Sequence, residues 1–168
     1  YSLAGTPEVT AQTHYDATAK RLTLTLSQHC PDTPNQTDKP PMFIPVAVGL
    51  LGPNGDDLIG TQILPLKDRS ENFIFDNIPS RPVPSLLRNF SAPVRMTTDL
   101  SEDDLRFLMV HDTDGFNRWE SAQNLSLRLI NRMLDAAEAG HATVVDHAYL
   151  DSVGSLFEQA LDNPSADK

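Results

Sequence analysis

His111, Asp112 and Asp114 stand together in the sequence and offer an imidazole and two carboxylates, donors that a divalent cation accepts. A helical zinc site needs more: two histidines at i and i+4, so that both rings leave one face, with a glutamate directly after the first as general base. None of the five histidines is followed by Glu, and His141 and His147 are spaced wrongly for one face. Asp112-Thr113-Asp114-Gly115 begins like a calcium loop, but that loop places Gly sixth and Glu twelfth, whereas Gly115 is fourth and Gln123 is twelfth. As a helix break and cap, the same four residues need no ion.

Nucleophilic chemistry fares no better. Cys30 follows His29, yet neighbours on a strand point to opposite faces, so thiol and imidazole would not meet. Gly52-Pro53-Asn54-Gly55 is turn chemistry and lacks the Gly-Lys-Ser/Thr ending of a phosphate loop. Asn35, Asn89 and Asn124 open glycosylation sequons that matter only in a secreted chain, and Asn124 falls within a helical pattern. Arg118-Trp119-Glu120 could stack a ligand, but helical phase sets Trp119 with Phe116 and Ala122 on an apolar stripe, which favours a core or a domain interface. The sequence therefore leads us to expect no catalytic, cofactor-binding or metal-ligating residue in this chain.

Bulk properties narrow the class further. Thirteen basic against 23 acidic residues give a formal net charge of -10, a field that repels nucleic acid and anionic membranes. No apolar run approaches the ~18 residues that cross a bilayer. Cys30 is the single cysteine, which excludes an intrachain disulfide and fits a reducing compartment. The chain opens Tyr1-Ser2-Leu3 with neither Met nor a signal-peptide pattern, and we expect its natural start to lie upstream.

Two textures must position whatever the chain does. From Pro7 to about Thr98, short alternating runs are broken by Pro, Gly, Asn and Asp, which is strand grammar. Glu8 to Thr13 and Lys20 to Gln28 form a hairpin about Tyr15 to Ala19, with Leu22, Leu24 and Leu26 on one face. Met42 to Leu51 and Asp57 to Leu66 form a second hairpin. Glu71 to Ile78 and Pro93 to Thr98 supply further strands, and four prolines make Pro31 to Pro41 a long surface connection. About seven strands in about a hundred residues suit an immunoglobulin-like β-sandwich.

At Ser101 the pattern turns helical. Ser101 can cap a helix carrying Leu105, Leu108 and Met109. A long helix follows, with Phe116, Trp119, Ala122, Ser126, Leu129, Ile130, Met133, Leu134 and Ala137 as its apolar face, ended by Gly140. A third runs from about Val145 to Leu161, stopped by Asn163-Pro164. The expected division is a sandwich over residues 1–99 and an α-helical segment of about three helices over 100–168. Two broad apolar stripes lack material to cover them, so the bundle is expected to be unfinished.

Several blocks, in order, resemble one family. Tyr1-Ser2 with Gly5-Thr6-Pro7, Leu22 to Gln28, Phe75-Asp76-Asn77-Ile78, Pro82 to Arg88, Phe90-Ser91-Ala92-Pro93-Val94, Phe107-Leu108-Met109 with His111-Asp112, and Phe116 to Glu120 with Ala122-Gln123 are similar to the bacterial aminopeptidase N family, also called alanyl aminopeptidases. The resemblance implies a zinc metallopeptidase parent that removes N-terminal residues from peptides, built from an N-terminal β domain, a catalytic domain, a small β-sandwich and a C-terminal helical domain. This chain would be the sandwich and the first helices, linking the catalytic domain to the helical domain that encloses the active-site chamber. Zinc and peptide substrates would then bind the parent only, and the partners of this chain would be the catalytic and helical domains of the same polypeptide. Cytoplasmic residence is implied as well. The competing reading is a free-standing immunoglobulin-like binding module with a helical appendage.

Overall fold

The computed structural model describes residues 3–162. Among them are seven strands, β1 (Glu8–Asp16), β2 (Arg21–His29), β3 (Ile44–Leu51), β4 (Asp57–Leu66), β5 (Ser70–Phe75), β6 (Val83–Leu86) and β7 (Arg95–Thr98), then three α-helices, α1 (Glu102–His111), α2 (Gly115–Glu138) and α3 (His147–Asp162). The chain divides into two compact units, Tyr1–Leu100 and Ser101–Lys168. The first is an immunoglobulin-like sandwich, as the strand count suggested.

One sheet has the order β5-β2-β1-β7. β1 and β2 pair as an antiparallel hairpin from Glu8↔His29 to Asp16↔Arg21. The strands thus run further than the sequence pattern indicated: Tyr15 and Asp16 lie in β1, and the turn is carried by residues 17–20. The Asp16 carboxylate accepts from the backbone N–H groups of Thr18 and Ala19 at 2.8 and 2.9 Å. The Ala19 bond first, then that of Thr18, holds the Asp16 carboxyl below the usual aspartate range. Leu22, Leu24 and Leu26 are at most 1% exposed, each worth about 2 kcal/mol relative to an exposed position. β7 closes the sheet as a parallel partner of β1.

The other sheet has the order β4-β3-β6. Val46, Val48 and Leu50 of β3 point into the core with Leu22, Leu24 and Leu26. Ala47, Gly49 and Leu51 face the other way and are buried too, because the segment after β6 folds over that outer face. β6 was not anticipated as a strand, since Pro82 and Pro84 argue against one. It is tolerated because β6 is an edge strand, paired to β3 on one side only, with Pro84 opposite Leu50.

Residues 31–41 form a largely exposed connection, with one departure from the expected surface loop. Lys39 is 5% exposed, and its ammonium donates to the carbonyls of Ala4 and Pro31 at 2.7 and 2.5 Å. Those charge-assisted bonds offset the desolvation of the amine.

In the helical unit, the Ser101 hydroxyl accepts from the Asp104 N–H at 3.1 Å, and the Asp104 carboxylate accepts from the Ser101 N–H at 3.0 Å, a complete capping box. Asp114 caps α2 by accepting from the Asn117 N–H at 2.9 Å. At the far end Gly140, at φ 73, lets His141 and Gly140 donate to Ala136 and Ala137, satisfying carbonyls that the helix leaves open. The buried stripe of α2 is Asn117, Ser121, Leu125 and Leu129. This corrects the apolar face read from the sequence: of its members only Leu129 is buried, while Trp119, Ile130, Met133 and Leu134 are 41–56% exposed. Helical phase identifies where apolar residues cluster, but burial follows the small and polar residues that let α1 approach. The stop at Asn163-Pro164, like Tyr1-Ser2, lies outside the described residues.

Candidate functional site

Each group that could do chemistry is held by local structure. His111 ends α1 and packs its ring 4.8 Å from that of Phe107. Asp112 accepts from the Asp114 N–H at 3.0 Å, and Asp114 is committed to the α2 cap. The three do not converge as ligands. Among the described residues, no three His, Cys, Asp or Glu side chains gather where a metal ion could be held. His141 and His147 are both exposed, one behind the α2 end and the other opening α3.

Cys30 is 8% exposed, with its sulfur 3.7 Å from the Ala4 carbonyl and 3.9 Å from the Lys39 ammonium, while His29 ends β2 on the exposed side. Thiol and imidazole do not pair. Residues 52–55 form the β3–β4 turn, in which the Gly55 N–H donates to the Gly52 carbonyl at 3.0 Å. Asn124 donates to Glu120 at 3.2 Å within α2. Trp119 is 56% exposed with its ring 6.0 Å from that of Phe116, so it does not fill a core in this chain.

Two arrangements remain. In the sandwich, Arg88 is 3% exposed and ties together two strands, β6 and β4: its Nε donates to Ser85 at 2.8 Å, Nη1 to Asp57 and Thr61 at 3.0 and 3.1 Å, and Nη2 to Asp57 at 2.7 Å. The guanidinium lies over Gly49, where any side chain would collide with it. This clamp escaped the sequence reading. Its signal was Gly49 inside the aliphatic run of β3, since a glycine mid-strand marks a close approach.

In the helical unit, a cleft of about 250 Å³ is lined by Leu129, Ile130, Met133, Val144, Val145 and Leu150. Arg132 sets its rim, donating to Glu102 at 2.9 Å and to Asp146 at 3.4 Å, and the hydroxyls of Ser126 and Tyr149 meet at 2.9 Å. Of its lining Ile130, Val144, Val145 and Leu150 are half or more exposed, and so, elsewhere on α2 and α3, are Leu127, Leu134, Phe157 and Leu161. A mostly apolar cleft whose few polar groups bond to one another is suited to receiving an apolar partner face.

Residues 5–99 match the family described as "Domain of unknown function (DUF3458) Ig-like fold". The chain belongs to that family. Residues 102–168 of the DUF3458 chain match a second description, "Domain of unknown function (DUF3458_C) ARM repeats". Aminopeptidase N of Caulobacter vibrioides is 46% identical over 163 residues, 96% of the DUF3458 chain and 18% of that protein. Aminopeptidase N of Escherichia coli K12 is 40% identical over 133 residues, covering 74% and 15% respectively. The protein of that name in Haemophilus influenzae is 31% identical over 164 residues, covering 94% and 19%. Among solved structures, Legionella pneumophila aminopeptidase A in complex with aspartic acid matches with a TM-score of 0.77 at 31% identity, over 92% of the DUF3458 chain and 17% of its own. The DUF3458 chain is thus homologous to aminopeptidase N and spans less than a fifth of the length of these relatives.

Proposed function

We propose that this chain is a non-catalytic structural segment of a zinc-dependent aminopeptidase N, a peptidase that removes N-terminal amino acids from peptides. The sandwich joins the catalytic domain to a helical domain around the active-site chamber, and α1 to α3 begin that helical domain. One observation carries the reading most directly: the apolar faces of α2 and α3 stay open, with Phe157 67% and Leu134 55% exposed, as in a helical array awaiting its next layer. The relatives' names supply the activity.

The residues present do not fit a zinc ion. His111, Asp112 and Asp114 are taken up by ring packing and helix caps, and no other described group gathers three donors. In this reading zinc, peptide substrate and the catalytic groups belong to the parent polypeptide outside this chain, and the parent works in the cytoplasm. Among the described residues, no helix is long and apolar enough to cross a membrane.

Metal analysis of the purified chain and of the purified parent after dialysis against dilute zinc tests the assignment. Stoichiometric zinc in the parent with none above background in the chain is expected. Tight zinc binding by the chain itself would overturn it.

A further inference from the structure

Asn54 is the one asparagine of the sequence that precedes a glycine. The pair lies in the turn that joins β3 to β4, with Asn54 exposed and Gly55 at φ 88, a left-handed backbone that a glycine takes without strain. Asparagine is a thermolabile residue. Its side-chain carbonyl carbon can be attacked by the backbone nitrogen of the next residue, and a glycine there puts no side chain in the way. The Gly55 N–H is held by a bond to the Gly52 carbonyl at 3.0 Å, in a surface turn of the kind that opens locally. Asn117, Asn124 and Asn131 sit instead in α2, where the following N–H belongs to the helix ladder. Asp114-Gly115 is the one aspartate–glycine pair, and its carboxylate is committed to the Asn117 N–H at 2.9 Å.

We infer that Asn54 is a site of spontaneous deamidation, and that its conversion loosens the Arg88 clamp. The Gly55 nitrogen gives up its proton and bonds to the Asn54 side-chain carbonyl carbon. The bond from that carbon to Nδ2 breaks, the nitrogen leaves with its electron pair and the proton as ammonia, and a cyclic imide remains. Water then opens the ring: breaking the new bond leaves aspartate at position 54, and breaking the original peptide bond leaves isoaspartate, with the backbone rerouted through the side chain. No oxidant or enzyme is needed. Before conversion the Asn54 amide donates to the Asp56 carboxylate at 2.5 Å. Either product removes that donor and adds a negative charge beside Asp56, so an attraction becomes a repulsion. The Asp56 carbonyl closes the turn by accepting from the Gly52 N–H at 2.8 Å, and the next residue, Asp57, pairs with Leu51 and holds Arg88 at 2.7 Å. Displacing Asp56 therefore pulls directly on the carboxylate that neutralises a buried guanidinium.

The test ages the 168-residue chain and its Asn54→Ser variant in mildly alkaline and mildly acidic buffer, and follows each by peptide mass mapping and isoaspartate detection. Conversion at position 54 is expected well ahead of every other asparagine, and faster in the alkaline buffer, because ring closure needs the Gly55 nitrogen deprotonated. The aged chain should then unfold at a lower urea midpoint than fresh chain in far-UV circular dichroism, while the aged Asn54→Ser chain keeps its midpoint. An Asn54 that stays intact in alkaline buffer, or that converts no faster than Asn124 within α2, would overturn the site. Conversion without a lower midpoint, or an equal fall in the aged Asn54→Ser chain, would overturn its effect on the clamp.

Discussion

Gly49 and Arg88 exclude one another's alternatives: the guanidinium rests where a β-carbon on residue 49 would be, and only a glycine in the middle of β3 lets the arginine reach Asp57, Thr61 and Ser85 together. Gly49→Ala forces that clamp aside in a closely packed place. We expect a loss of about 2–3 kcal/mol, in the range of overpacked cores, read as a lower urea midpoint. Arg88→Ala removes one partner of an ion pair whose Asp57 side chain keeps 27% exposure, so the cost should fall near the low end of the range for broken buried pairs, about 3 kcal/mol.

In the helical unit, Leu125 is fully buried and Trp119 is not. Leu125→Ala should therefore cost about 2–5 kcal/mol in chemical denaturation, whereas Trp119→Ala should change the isolated chain by about 0.5 kcal/mol or less. The reverse ranking would restore the apolar face that the sequence alone suggested.

The capping box gives a smaller and sharper expectation. Ser101→Ala removes the acceptor for the Asp104 N–H, and about 1 kcal/mol should be lost from the helical unit, seen as a reduced midpoint of the far-UV circular dichroism transition. Asp104→Asn, which keeps an acceptor oxygen, should lose less than Asp104→Ala.

Asp16 links stability to acid. Its folded pKa is depressed by the Ala19 and Thr18 N–H groups, so the stability it adds is complete above its unfolded value and disappears as pH falls through the folded one. Asp16→Asn should flatten the acid limb of the stability profile below the ordinary carboxylate range and leave its neutral-pH slope unchanged. Urea titrations at stepped pH would read both.

How much of this was legible beforehand depends on what each residue answers to. The Leu22, Leu24 and Leu26 alternation and the Ser101 cap are local signals, and both elements form where their patterns say. β6 was hidden because prolines argue against strands unless the strand sits at an edge, and edge position is a property of the whole sheet. The buried face of α2 was misplaced for a related reason: its pattern carries more apolar residues than this chain covers, and the phase of the richest stripe points to the uncovered side. Arg88 and Lys39 were missed because long cationic residues are read as surface, and only the assembled strands and loops reveal the acceptors that receive them. The Asp112 to Gly115 run was read from its spacing as a helix break and cap, and Asp114 does cap α2 by accepting from the Asn117 N–H.

The central claim is that this chain supports a peptidase site it does not contain. Hydrolysis of an aminoacyl chromogenic substrate by equal molar amounts of purified chain and purified parent, each with and without a zinc chelator, tests it most directly. We expect no hydrolysis above buffer from the chain, and turnover by the parent that the chelator abolishes. Turnover by the isolated chain, or a parent with no aminopeptidase activity, would contradict the account.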